Sequence, residues 1–325
     1  MRIFRGFNQE RIVLTLAVVL FGVFALTLDG FLTPQNILTL IRSVAILGVL
    51  ALAMVIVVIG RGIDLSLVAN MVISVAWAFQ LANNGVPLAV ALLLGFGFAL
   101  LMGLLSGLLI AFADISPLFT TLAMGTFIYG FGRAHMIFGT DVVYLQNNIG
   151  WVRQLGQGVF FGIPSPIVIA AVIAALTYAF LRYTKPGRFI YAMGDNFAAA
   201  RIGGIPVRMM LAFEYSLAGA FAFLAGLISA TAVSAMNTRI VTSNMIYDVI
   251  LVVVLGGVSL SGGRGGVRNV IVGTLLIGIL LNGMTIMDVQ YTVQNLIKSA
   301  FLLSAIIIDS VINPRDEQTG QQGDI

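Results

Sequence analysis

LRYTKPGRFIYAMGDNFAAARIGGIPVR, residues Leu181–Arg208, is the most polar long break in an otherwise apolar chain, and it carries Arg182, Lys185, Arg188, Arg201 and Arg208. The runs on either side are too long and too apolar for a soluble core. Basic residues near span ends resist translocation, so a basic loop between two apolar bundles belongs in the cytoplasm. Within the loop, Asp195-Asn196 is an N-cap signal. The helix formers Phe197–Ile202 follow, and Gly203-Gly204 and Pro206 close the segment. This spacing predicts a short capped helix at the cytoplasmic surface, centred on Ala200 and Arg201. So short a helix is marginal alone in water, so it must dock on the bundle or on a partner.

The composition agrees. The 325 residues are 59% hydrophobic and 9% charged, against about 25% charged in an average soluble domain. This is the signature of an all-α, polytopic membrane protein. A helix of about 20 apolar residues crosses a bilayer. On that rule spans fall near 12–28, 40–60, 66–83, 88–113, 117–138, 165–181, 209–236, 246–260, 269–287 and 292–312, about ten in all, with the third and eighth short. The N-terminal run follows Arg2, Arg5 and Arg11 but lacks a small-residue cleavage site, so it reads as a first transmembrane helix. With both termini inside, twelve of the seventeen basic residues fall on the cytoplasmic side. Residues 1–312 thus form one transmembrane domain with a cytoplasmic loop at 182–208. Residues 313–325 read as a disordered cytoplasmic tail.

Several chemistries are excluded. There is no cysteine, so no disulfide or thiolate metal site. His135 is the only histidine, and no catalytic constellation or metal set surrounds it. The glycine-rich Gly256–Gly266 stretch lacks the Gly-Lys-Ser/Thr ending of a phosphate loop. The net charge of +4 sits at span ends, which orientation explains without nucleic acid. Neither enzyme activity nor a cofactor is expected.

The polar residues inside the spans carry what remains. Asp64 is a carboxylate at membrane depth, which costs about 2.5–3.5 kcal/mol on insertion scales. It either lines a solute path or caps the third span together with Ser66. Asn70 shares the helical face of Ser66. Asn282 is either glue between helices or a solute contact. Glu214, near the cytoplasmic end of the seventh span, reads as snorkelling or paired with a nearby base. No buried titratable pair is evident in mid-span. Gly103 and Gly107 form a GxxxG, which implies close helix packing and is compatible with a dimer. The outer loop Thr140–Pro164 carries Tyr144, Asn147, Asn148, Trp151, Phe160 and Phe161, suited to an interfacial belt or a docking surface.

Two stretches echo one another: Val57–Ser66 (VVIGRGIDLS) and Val253–Arg264 (VVLGGVSLSGGR). Each is an apolar run broken by glycine. Downstream, Ser106-Gly107 before Asp114 resembles Asn282-Gly283 before Asp288. Repeats with glycine-broken helices mark transporters, with solute handled at the breaks. That places Asp64, Ser66, Asn70, Gly257, Ser259 and Asn282 on a candidate solute path.

Taken in order, Gly62–Ser66 (GIDLS), Met193–Ile205 (MGDNFAAARIGGI), Tyr247–Ile250 (YDVI) and Leu255–Gly265 (LGGVSLSGGRG) resemble the ribose/xylose-type permeases of bacterial ABC importers. The resemblance runs from about residue 35 to 312. It implies a multi-pass permease of the bacterial inner membrane for a monosaccharide or related polyol. It also implies three partners: a cytoplasmic P-loop ATPase, a periplasmic solute-binding protein and a second permease chain, as a homodimer. The Asp195–Gly204 segment matches the family's coupling segment, so Asp195, Asn196, Ala199, Ala200, Arg201 and Gly204 would meet the ATPase. The pattern departs at Arg61, where the family has glycine, and at Leu67-Val68 in place of Val-Gly. A charge at position 61 leaves open a solute other than ribose. A non-sugar permease (nucleoside, autoinducer or amino acid, with Arg61 and Asp64 as a charge pair) and a stand-alone secondary transporter are the alternatives.

Overall fold

The computed structural model describes residues 9–145 and 150–312. The tail expected to be disordered, together with Arg2, Arg5, Asn147 and Asn148, lies outside the described residues. Ten long or apolar helices carry the bundle: α1 (Gln9–Thr27), α2 (Pro34–Ile59), α3 (Leu67–Asn83), α4 (Leu88–Phe112), α5 (Pro117–Phe131), α7 (Ser165–Tyr183), α10 (Val207–Val233), α11 (Met245–Leu255), α12 (Val267–Ile286) and α13 (Tyr291–Ile312). Three short helices join them: α6 (Gly150–Gln157), α8 (Lys185–Asp195) and α9 (Phe197–Ile202). Six of the described helices are long and apolar enough to cross a membrane alone. Helix α11, with 11 residues, is only about 16 Å long at 1.5 Å per residue.

Proline opens several of these helices. Pro34, Pro117, Pro166 and Pro186 occupy first-turn positions, where a missing N–H goes unmissed. Helix α2 therefore starts six residues earlier than hydropathy alone suggests. Beyond helix, the described residues hold two small antiparallel sheets. Val142–Tyr144 (β1) pairs with Ala235–Asn237 (β4), and Val159–Phe160 (β2) with Ile163–Pro164 (β3).

The core is α2, α3 and α10. Twelve of the 17 residues of α3 are buried, so this helix touches little but protein. The rim helices α1, α4, α5, α7 and α13 expose large apolar side chains such as Val18, Leu93, Phe119, Leu176 and Leu303, the outward surface a bilayer requires. Gly103 and Gly107 lay α4 directly on the backbone of α10: a β-carbon there would meet Tyr215 O at 2.2 Å and the Ala212 Cα at 2.6 Å. The GxxxG is consumed inside the chain and is not free for a second copy.

Contacts sort the loops to two ends. At one end lie α8 and α9, the breaks after α2 and α11, and the α4–α5 turn, whose Asp114 is within 4.0 Å of Arg208. At the other lie β1–β4 and α6. Gln157 donates to Thr231 O and Ala232 O there, and Asn244 N donates to Tyr291 Oη. The glycine-break echo holds, with both breaks at the same end. The Asp114/Asp288 echo does not: both residues are left-handed (φ 52 and 51), but Asp114 closes α4 at the α8–α9 end and Asp288 closes α12 at the opposite one.

Candidate functional site

The two breaks are the same structure built twice. After α2, Arg61 N donates to Val58 O and Gly62 N to Val57 O; after α11, Gly257 N donates to Val254 O and Val258 N to Val253 O. These are the two bonds of a Schellman motif. Its left-handed residue is Gly257 (φ 89) in one copy and Arg61 (φ 67) in the other. Gly263 N donates to Ile59 O at 2.9 Å, so the copies touch. Between them Met54, Ile63, Val253 and Leu260 line an apolar void of about 10 Å³.

Helices α8 and α9 sit on this double break. Thr184 caps α8 by accepting from Gly187 N, and Asn196 caps α9 by accepting from Ala199 N at 2.9 Å, as the sequence signal predicts. Gly203 and the left-handed Gly204 end α9. Helix α8 itself was not foreseen; its Pro-Gly start hides a helix whose buried face is Gly187, Ile190, Met193 and Gly194. Gly194 fits because it has no side chain: a β-carbon would lie 1.8 Å from Ile59 O and 2.5 Å from Gly263 N. Tyr191 Oη donates to Gly265 O at 2.8 Å, and burial raises its pKa above the ordinary phenol value.

Arg61 completes the attachment. Its Nε donates to Gly194 O at 2.7 Å and its Nη2 to Asp195 O, while the guanidinium lies over the Phe197 ring. A cation on the last carbonyls of α8 also suits the helix dipole. Arg61 therefore points into the loop and does not pair with Asp64. The charge pair considered for an amino-acid solute is not formed by these two residues.

Asp64 is 1% exposed. Its Oδ1 accepts from Ser66 N at 2.9 Å and from Ser66 Oγ at 2.5 Å, a capping arrangement ahead of α3. Asn70 Nδ2 donates to Ala99 O across to α4. Ser259 Oγ accepts from Ser261 N within the second break. Asn282 lies apart from these, in a two-way amide pair with Asn36 at 2.9 and 2.8 Å. A solute contact at Asn282 would have to open that pair. On α9 and its flanks, Asp195, Asn196, Ala199, Arg201 and Gly204 are exposed, whereas Ala200 is 6% exposed and seats the helix. The outward face includes Ile202 at 89% exposure, a large apolar side chain missed in the sequence because its neighbours read as mere helix formers.

Two further readings are corrected. Glu214 neither snorkels nor pairs: it is fully buried, both carboxyl oxygens lack a partner among the described residues, and it is pressed against Gly60. The break at the end of α2 closes over its carboxyl group, with Gly60 against it. A titratable pair also exists in the spans, since Lys298 Nζ lies 2.8 Å from Asp248 Oδ1 and both side chains are largely buried. The partners are 50 positions apart on different helices, so no local pattern could announce them.

Over residues 36–308 the chain matches the family described as the branched-chain amino acid transport system permease component. The chain belongs to this permease family. It is 36% identical over 282 residues to the ribose import permease protein of Bacillus subtilis (strain 168), covering 86% of each chain. It is 33% identical to the L-arabinose ABC transporter permease protein of Azospirillum brasilense, over 93% of this chain and 87% of that one. The galactofuranose transporter permease protein of Escherichia coli K12 is 32% identical, over 87% of this chain and 81% of that relative. No solved structure matches the chain. A permease component moves solute and performs no covalent chemistry.

Proposed function

We propose that this permease is the transmembrane subunit of an ATP-driven ABC importer for a monosaccharide or related polyol. Three of its permease relatives are named for ribose, arabinose and galactofuranose. It works in the bacterial inner membrane with both termini, α8 and α9 in the cytoplasm, as the excess of basic residues on that side favours. A periplasmic binding protein delivers the solute to the β1–β4 end. A cytoplasmic P-loop ATPase grips α9 through Asp195, Asn196, Ala199, Arg201 and Gly204, with Ile202 between them. A second copy of the chain completes the path.

The observation that carries this reading is the attachment of α8–α9 to both glycine breaks at once. A push on α9 reaches the Schellman turns of α2 and α11 without passing through a flexible linker. Asp64, Ser66, Gly257 and Ser259 lie on or next to those turns and Asn70 one helical turn beyond Ser66, so they are the part of the proposed path that the push would move. Asn282 is its outlying member.

Affinity capture of the tagged chain from mild-detergent membranes tests the reading. A P-loop ATPase should be recovered, and should be lost when Arg201 and Ile202 are both replaced by aspartate. Capture without any ATPase, from membranes that still take up pentose without ATP, would move the assignment to a secondary transporter.

A further inference from the structure

At the end of the bundle opposite α8–α9, helices α11 and α13 line a cavity of about 310 Å³. Small-molecule sites begin at about 300 Å³. Its polar wall is Asn244, Tyr247 and Asp248 from the start of α11, and Asn295, Lys298 and Ser299 from the second and third turns of α13. Its floor is Leu251 and Leu302, and Leu303 and Ile306 form its exposed apolar rim. Lys298 is 7% exposed and forms the ion pair with Asp248, and its ammonium also lies 5.9 Å from the centre of the Tyr291 ring. Asn295 Oδ1 is buried and has no hydrogen-bond partner.

We infer that this cavity is a binding site for a neutral, hydroxylated solute, the first place a sugar lodges on its way into the bundle. The inference rests on the importer reading above and adds a site to it. Three features carry it. A hydrocarbon chain is a poor occupant, because it would leave the buried Asn295 Oδ1 without a hydrogen-bond donor. An anion or a cation is also disfavoured, because Lys298 and Asp248 already neutralise each other at 2.8 Å. What remains on offer is hydrogen bonding of both senses: amide donors and acceptors from Asn244 and Asn295, and hydroxyls from Tyr247 and Ser299. The unpartnered Asn295 Oδ1 wants a donor such as a sugar hydroxyl. The aliphatic floor and the Tyr247 ring suit the C–H face of a sugar ring.

The cysteine-free chain makes a direct test available. The Ser299→Cys permease, assembled with its ATPase and binding protein in nanodiscs, is labelled with a small charged methanethiosulfonate in the absence and presence of ribose, arabinose or leucine. The thiol should be reactive, and a pentose imported by the same complex should slow labelling several-fold while leucine does not. Asn295→Leu in that background should abolish the protection while the ATPase is still recovered. If Ser299→Cys fails to assemble, Asn295→Cys is read in the same way. An inert thiol, a rate untouched by a pentose that the complex does import, or protection by leucine alone would each overturn the site. The wild-type transport assay stands apart: a complex importing no pentose sinks the importer reading itself, before any thiol is examined.

Discussion

The Nε of Arg61 reaches the carbonyl oxygen of Gly194 at 2.7 Å, tying the end of α2 to the end of α8 across 133 residues of chain. The backbone of Arg61 is left-handed (φ 67), the conformation its counterpart Gly257 adopts in the second break. An arginine there carries roughly 1–2 kcal/mol of backbone strain. The bonds to Gly194 and Asp195, at about 1 kcal/mol each, roughly offset it.

This near-balance makes Arg61→Gly informative. Glycine relieves the strain and removes the tie, so stability should change by less than about 1 kcal/mol. If the tie transmits the stroke of the ATPase, solute moved per ATP hydrolysed should fall several-fold while the ATPase still binds. An unchanged ratio in proteoliposomes would show that Arg61 only decorates the turn.

The glycines of the loop should separate by mechanism. Gly194→Ala drives a β-carbon into Ile59 O, and overpacking of this kind costs about 1–3 kcal/mol. Thermal unfolding in detergent should drop and transport should fail. Gly204→Ala meets open space but keeps φ at +83, so its penalty should stay near 1 kcal/mol. Equal losses at the two positions would argue against α8 being wedged between the breaks.

Ile202 should anchor the partner. Exposed at 89% on α9, it contributes nothing evident to folding. Ile202→Ser should leave the melting temperature of the permease unchanged and weaken recovery of the ATPase at least tenfold, about 1.4 kcal/mol or more. Full recovery would exclude this face as the contact.

Asn36 and Asn282 should behave as a unit. Amide pairs within membrane bundles contribute about 0.6 kcal/mol on average and up to about 1.7. Asn282→Ala alone strands Asn36, so the double variant should be less destabilised than the two single changes added together. A strictly additive double-mutant cycle would show that the pair contributes no coupling energy.

At the β1–β4 end, Asp141 Oδ2 accepts from Arg239 at 2.7 Å and Oδ1 from Arg133 at 2.5 Å. Those bonds hold its carboxyl below the ordinary range, Arg239 first and Arg133 second. A lowered folded value means the contribution is complete above the unfolded pKa, near 4, and is lost as pH falls through the folded value. The β1–β4 clamp should therefore be insensitive to mild acidity. Its amide protection should weaken only below about pH 4, and Asp141→Asn should weaken it throughout. Loss of protection already at pH 6 in the wild type would contradict this.

Much of the fold was legible because a bilayer enforces a strict rule: every spanning backbone group must be satisfied within its own helix, so long apolar runs become helices. Asn196, Gly203-Gly204 and Pro206 announced α9 for a similarly local reason, since caps act within four residues. The repeated glycine break was also readable, because a Schellman turn needs a left-handed residue at one fixed place. The direction of side chains was not. Arg61 looked like a charge on a solute path, yet it serves the loop. Glu214 read as snorkelling or paired, yet it is buried against Gly60 at the end of α2. Nor was the pairing of Lys298 with Asp248 legible, since the two lie on different helices.

By itself, then, the sequence determined the membrane class, the helix sites and the loop signals, since hydropathy, capping and turn chemistry act over a few residues. Tertiary structure alone decided which of those signals meet: that the two breaks touch through Gly263 and Ile59, that α8 wedges against them, and that α11 and α13 line a cavity holding the Lys298–Asp248 pair. These depend on packing between segments 50 to 200 residues apart, where one close backbone approach, such as Gly194 against Ile59, selects the arrangement, and no local pattern encodes it.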